Sequence, residues 1–225
     1  MKRTALIFGS SGLVGSSLLK LVLEDQYYDK IKIFVRKKIL VSSPKLEQIE
    51  VDFHHLDNVK DEISGDHLYL CLGTTMAKAG SKDAFYLVDH DFTLHAAHLA
   101  FANGVAKVCL ISSMGADTSS NVYYSRVKGE IEKEVALIKF KAVHIVRPSL
   151  LLGDRKEKRL GERIGIMISK IFGFIFKGPM RKYAPIEDKT VAQAMMCLMQ
   201  KAETGVHIHE SIELQQLGLT SDIKK

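Results

Sequence analysis

A tyrosine and a lysine four residues apart, Tyr124 and Lys128, follow shortly after a serine pair, Ser112-Ser113. On a helix this spacing puts phenol and ammonium on one face. A nearby ammonium favours the phenolate and draws a tyrosine from about 10 toward working pH. A tyrosine so tuned can exchange a proton with a substrate oxygen while a hydride moves to or from a nicotinamide. One serine hydroxyl would hold the same oxygen. Ser113 is favoured, and Ser112 stays open as the alternative. Spacing alone does not single out the pair, because Tyr28 and Lys32 repeat it. Those two straddle a helix end and a strand start and cannot share a helical face. Tyr123 is five residues from Lys128 and points elsewhere.

Hydride chemistry needs a cofactor, and the chain opens with a turn suited to one. The apolar run Ala5 to Phe8 enters Gly9-Ser10-Ser11-Gly12-Leu13-Val14-Gly15, and an amphipathic stretch to Leu23 leaves it. Strand, glycine turn and helix in that order let a pyrophosphate approach the free N–H groups of the helix start. The last glycine allows close packing of helix on strand. A second strand that binds NAD usually ends in Asp or Glu for the ribose 2′-hydroxyl. Here it ends Val35-Arg36-Lys37-Lys38. The Arg36 fork and the Lys37 charge suit a 2′-phosphate, so NADP(H) is expected and NAD is the lesser candidate. Asp52, ending a third strand, is placed to meet the adenine amino group. Gly73-Thr74-Thr75, ending a fourth, would pass the ribose and phosphates, with Leu72 before them also a cofactor contact.

The elements that must hold these residues alternate along the chain. Strands are expected at Arg3 to Phe8, Lys30 to Val35, Gln48 to Val51, His67 to Leu72, Lys107 to Ile111 and Ala142 to Val146. Helices are expected at Leu13 to Glu24, Ala84 to Ala102, Asn121 to Ile138 and Asp188 to Lys201. A late strand, Val206 to His209, precedes a closing helix around Ser211 to Leu217. Continuous apolar strands between amphipathic helices imply an α/β fold, a doubly wound parallel sheet of Rossmann type covered on both faces. Its ligands belong beyond the carboxyl ends of the strands.

At 225 residues and 46% hydrophobic, the chain fits one domain, 1–225, with small C-terminal substrate-side elements. The apolar start is broken by Gly9-Ser10-Ser11-Gly12 and reads as neither signal peptide nor span. Three scattered cysteines, Cys71, Cys109 and Cys197, read as buried reduced thiols in a cytoplasmic protein. The net charge of +6 is spread without aromatic interleaving, which argues against nucleic acid. Asp91, His95 and His98 share a helix at a spacing that can ligate a metal. Apolar neighbours favour a polar or subunit-facing stripe instead, and no metal site is expected. His207 and His209 alternate on a strand and read as a partly exposed face. The apolar stretch Ile164 to Phe176 follows the basic segment Arg155 to Arg163. It suits a lid over the substrate across 155–178, with a weak membrane-surface contact as the alternative.

Together these features resemble the short-chain dehydrogenase/reductase superfamily, in the glycine spacing of its extended and atypical branches. A closer resemblance rests on Cys71-Leu-Gly-Thr-Thr-Met-Ala-Lys-Ala-Gly80, Val88-Asp-His-Asp91, Ser112-Ser-Met-Gly-Ala-Asp117, Val127-Lys-Gly-Glu130 and Arg147-Pro-Ser-Leu-Leu-Leu152. Blocks in this order and spacing look like the Tat-interacting tumour-suppressor reductase family. The resemblance implies NADPH on a Rossmann fold, with Ser113, Tyr124 and Lys128 in the triad positions. It also implies that Pro148 and Leu150 border the nicotinamide. The sequence departs from many dehydrogenases of the superfamily in carrying Asp89 where they have a catalytic asparagine. It is also short for a sugar-nucleotide epimerase, which favours a small carbonyl or hydroxyl substrate. The expectation is an NADP-dependent oxidoreductase, monomeric or homodimeric. Its alternative is an NADPH-sensing regulator that binds a protein partner without turnover.

Overall fold

The computed structural model describes residues 3–153 and 183–222, so the expected lid at 155–178 lies outside the described residues. Among the described residues seven strands form one parallel sheet in the order β3-β2-β1-β4-β5-β6-β9. They are β1 (Thr4–Phe8), β2 (Lys30–Val35), β3 (Leu46–Glu50), β4 (His67–Leu70), β5 (Lys107–Ile111), β6 (Ala142–Arg147) and β9 (Gly205–Glu210). A separate two-stranded pair, β7 (Leu151–Leu152) with β8 (Ile186–Glu187), was not anticipated from the sequence.

The first strand shows why the apolar run extends. Ala5 and Ile7 point to the face covered by α1 (Leu13–Glu24) and α6 (Asp188–Gln200). Leu6 and Phe8 point to the face covered by α4 (Phe92–Ala102) and α5 (Tyr123–Leu137). With both faces buried, Ala5 to Phe8 are all apolar. Full burial of such side chains contributes about 1.5–3 kcal/mol apiece. Phe8 stacks on Phe34 with ring centroids 4.3 Å apart, fixing β1 against β2.

The helices dock by single faces. On α1, Val14, Leu18, Leu19 and Val22 are buried, and on α5 the stripe is Val127, Ile131 and Val135. Small residues on α4, Ala96, Ala97 and Ala100, let that helix lie close to the sheet. The single helix expected from Ala84 to Ala102 is instead three linked pieces. A short α3 (Lys82–Tyr86) runs through a π turn, Leu87–Asp91, into α4. Another short helix, α2 (Met76–Ala79), and 3₁₀ turns over Phe53–Glu62 also escape the periodic pattern. The closing helix α7 (Ser211–Asp222) is longer than expected.

His209 corrects the expectation of an exposed histidine face on β9. It is buried, with Nε2 3.1 Å from Nδ1 of the fully buried His144 and Nδ1 2.8 Å from Glu213 Oε1. Val206 and Ile208, on the opposite face, are the exposed pair. Among the cysteines only Cys109 is fully buried, while Cys71 and Cys197 are partly exposed. Desolvation nevertheless pushes the Cys71 thiol up to about 12.

Candidate active site

In this sheet the strand order reverses between β1 and β4, and ligands of doubly wound folds sit in the crevice beyond that point. The glycine turn and the strip 71–74 flank it. The Cys71 N–H donates to the Phe8 carbonyl at 2.8 Å. Gly9 has φ +85°, and a Cβ there would overlap the Cys71 carbonyl. A Cβ on Gly15 would collide with the Gly9 carbonyl. Only glycine permits the turn, and with it the placing of the α1 N-terminus over the crevice. Gly12 caps α1 without any side-chain hydrogen bond to its first N–H groups.

The cofactor candidates divide by position. Ser11 and Gly12 are exposed at the crevice, Leu13 is half-buried, and Ser10 is buried. The Val14 side chain belongs to the core, so only its backbone can serve a ligand. Arg36 and Lys37 follow β2, exposed and without a hydrogen bond or ion pair to the described residues. Asp52 follows β3, where its Oδ1 accepts from the His54 N–H at 3.0 Å while most of the carboxylate faces solvent. Leu72 is half-buried, and Gly73 is open.

The loop after β5 and the one after β6 run side by side. Ser112 N–H donates to Val146 O at 2.8 Å, and Met114 N–H to Pro148 O at 2.9 Å. This brings Ser112 and Ser113 beside buried Pro148, with Leu150 exposed further along. The loop is clasped to α5: the Asp117 N–H donates to Ser125 O at 3.0 Å, and Gly129 packs where a Cβ would strike Asp117 and Thr118. That docking sets the height of Tyr124 and Lys128. Tyr124 is 37% exposed at the first turn, with its ring 5.6 Å from that of Phe85. Lys128 is buried, one turn further on.

Lys128 is held by Asp89, which reads in the sequence only as a departure from the catalytic asparagine. Its Nζ lies 2.7 Å from Oδ1 of Asp89, and the other oxygen of Asp89 accepts from the Thr74 N–H at 2.8 Å. A Cβ built on Gly73 would be 3.4 Å from Asp89 Oδ1 and 3.9 Å from Lys128 Nζ. The lysine therefore stands next to the strip that follows β4. The buried hydroxyl oxygens of Ser10, Ser112 and Ser113 have no hydrogen-bond partner among the described residues. Orphaned hydroxyls on both sides of a crevice, with a glycine cradle and uncapped helix between them, fit a polar ligand.

Look-alike pairs go elsewhere. Tyr28 OH meets His67 Nδ1 and Tyr69 OH at 2.7 Å each, whereas Lys32 pairs with Glu62 at 2.9 Å. Tyr123 OH donates to the Lys82 carbonyl. Asp91 contacts His90, and His95 contacts Asp57, so these residues do not converge with His98. A surface groove of about 490 Å³ flanks α5 toward β9, lined in part by Glu132, Arg147, Val206 and Ile208. Its main charges satisfy one another, as Arg147 forks onto Glu132 at 2.6–3.2 Å.

A glycine cradle at the reversal of a parallel sheet, facing a Tyr-Lys helix, defines a short-chain dehydrogenase/reductase. The family model for the NAD dependent epimerase/dehydratase family matches residues 5–210, and the chain belongs to that family. It is thus an oxidoreductase of the short-chain dehydrogenase/reductase type, of the atypical branch, that uses NAD(P). Over 225 residues it is 35% identical to Protein HTATIP2 of Rattus norvegicus, covering 98% of this chain and 91% of that protein. It is 34% identical over 173 residues to "Protein FMP52, mitochondrial" of Candida glabrata, covering 76% of this chain and 74% of the relative. A UDP-N-acetylglucosamine 4-epimerase from Methanobrevibacter ruminantium shares the fold. Its TM-score is 0.69 at 14% identity, over 93% of this chain and 77% of the epimerase.

These relatives correct the cytoplasmic expectation. The word mitochondrial recurs in the names of relatives from Candida albicans and Saccharomyces cerevisiae, pointing to mitochondria. Scattered thiols distinguish reducing from oxidising compartments and cannot tell one reducing compartment from another. Among the described residues no helix is long and apolar enough to cross a membrane.

Proposed function

We propose that this protein is an NADPH-dependent oxidoreductase that interconverts a small carbonyl compound and its alcohol, acting in mitochondria as the FMP52 names support. The observation that carries the reading is Lys128, fixed beside Gly73 and Thr74 with Tyr124 one helical turn before it. When bound, the cofactor would supply the hydride as NADPH and accept it as NADP⁺. Gly9, Ser10, Ser11, Gly12, Leu13 and Val14 would hold its pyrophosphate by backbone N–H groups and short hydroxyls. Arg36 and Lys37 would meet the 2′-phosphate, and Asp52 the adenine. Leu72, Gly73 and Thr74 would line the ribose side, with Lys128 reaching its hydroxyls. Pro148 and Leu150 would border the nicotinamide.

In the reductive direction the Tyr124 hydroxyl gives its proton to the substrate oxygen, which Ser113 holds by its free hydroxyl. The exposure of Tyr124 lets solvent return that proton. The test is a panel of carbonyl compounds followed by NADPH absorbance. Tyr124→Phe removes one hydroxyl while keeping the ring against Phe85. Turnover is expected to fall by about 10²–10⁴, the scale of a positioned acid, with NADPH affinity changed no more than a few fold. Turnover undiminished in Tyr124→Phe overturns the mechanism. An absence of wild-type turnover with NADPH binding intact replaces it with the regulator that binds a protein partner.

A further inference from the structure

Asp89 is the charged group of the crevice to which the proposed chemistry gives no task. It is 2% exposed and stands in the π turn Leu87–Asp91, where the helix carries its hydrogen bonds one residue further than usual. Such turns aim side chains that a regular helix would direct elsewhere. Here two successive residues are buried in different directions. Asp89 reaches Lys128 and Thr74, while His90 lies against Asp91 and Glu134. Among the described residues Asp89 is the sole ion-pair partner of Lys128, whose side chain is only 6% exposed.

We propose that Asp89 is the positioning residue of the site, fixing Lys128 beside Gly73 and tying α5 to the cofactor strip that follows β4. Its two oxygens do separate work. The Thr74 N–H would be equally served by an amide oxygen, so an asparagine could keep the strip in place. The ammonium could not be so served, because the amide's other atom is a donor facing a donor. An unpaired buried ammonium is costly, and the long lysine stem offers a route to water. Carboxylate at this position, in place of the amide common in the superfamily, thus determines where the lysine stands. The inference rests on the role given to Lys128 in the oxidoreductase reading.

The experiment compares wild type and Asp89→Asn by reductive methylation of amines, read residue by residue by mass spectrometry in ligand-free protein. Lys37, exposed, is the fast reference. Lys32, held by Glu62 elsewhere on the sheet, reports that the fold persists. In wild type Lys128 should label at least about 10-fold more slowly than Lys37. In Asp89→Asn the two rates should come within about threefold while Lys32 stays protected. An unchanged Lys128 rate overturns the proposal. Should Asp89→Asn fail to fold, the double variant Asp89→Asn/Lys128→Met, which removes both charges, should recover the fold, and its failure to do so also overturns it. A second arm measures NADPH affinity. Asp89→Asn and Lys128→Met should each weaken binding at least about fivefold, and the double variant no more than either alone. Additive losses contradict the coupling. A wild type that binds no NADPH overturns the oxidoreductase reading, and the labelling ratio then decides the place of Asp89 by itself.

Discussion

Acid should destabilise this protein between pH 6.5 and 4, and two buried histidines set the window. His67 on β4 is 5% exposed, with its ring stacked near Tyr27 and Nδ1 2.7 Å from Tyr28 OH. His144 on β6 is fully buried between His207 and His209, and its Nε2 has no partner among the described residues. Burial holds both imidazoles down to about 4 from the ordinary 6.5. Lys107 opposes the charged form of His67, with Asp66 favouring it and Arg3 opposing it. For His144, His209 and His207 oppose protonation, Glu203 favours it, and Lys107 opposes it. A histidine depressed in the folded state stays neutral there while the unfolded chain takes up protons. Stability is therefore complete above pH 6.5 and is lost as pH falls toward 4. At 1.36 kcal/mol per unit, each site costs about 2 kcal/mol by pH 5 and about 3.4 kcal/mol below pH 4. Together that is about 4 kcal/mol at pH 5, a large share of a typical 5–15 kcal/mol. The carboxylates Glu62, paired with Lys32, Asp117, hydrogen-bonded by Ser119, and Glu203, paired with Lys201, are all lowered and release their effect at still lower pH. Urea titrations at several pH values between 7.5 and 5 would measure the loss at constant m. His144→Gln should remove about half the acid sensitivity. A wild type that loses under 1 kcal/mol across this range, or a His144→Gln protein as acid-sensitive as wild type, refutes the reasoning.

Two further outcomes address the cofactor end of the crevice. Arg36→Ala should cost about 1.5–3 kcal/mol of NADPH affinity by titration calorimetry, the scale of a charge-assisted hydrogen bond, and leave NADH almost unchanged. Equal wild-type affinities for the two cofactors would contradict the NADP assignment. Gly9→Ala should abolish nicotinamide-cofactor binding, because a methyl at φ +85° overlaps the Cys71 carbonyl. A Gly9→Ala protein that binds as wild type would remove the turn from the site.

The elements that were legible in the sequence are those whose burial is uniform along one direction. β1, β2, β5 and β6 lie between two helix layers, so their apolar runs mark them almost to the residue. α1 and α5 announce themselves by one buried stripe each. The edges are less legible. β3 is only half-buried and polar, so the strand expected from Gln48 starts two residues earlier, at Leu46, and β7 and β8 are too short to show a period. β9 alternates as expected, yet its histidines face inward, because His144 on the neighbouring strand supplies a polar partner that no local pattern reveals.

The same distinction between local and distant pairing explains what the candidate site disclosed. Tyr124 and Lys128 are legible because their geometry depends on one helix. The glycines are legible because strand, turn and helix are contiguous. The grip on Lys128 depends on a residue 39 positions earlier, in a turn that breaks the α-helical period. A periodic reading assigns Ala84 to Ala102 one uninterrupted helix and leaves Asp89 as a mere departure from asparagine. One extra residue in that helix puts Asp89 and His90 both in the interior, and only a carboxylate facing an ammonium makes the first of these burials tolerable. The substitution that weakened the analogy with other dehydrogenases is, in three dimensions, the contact that holds the lysine in place.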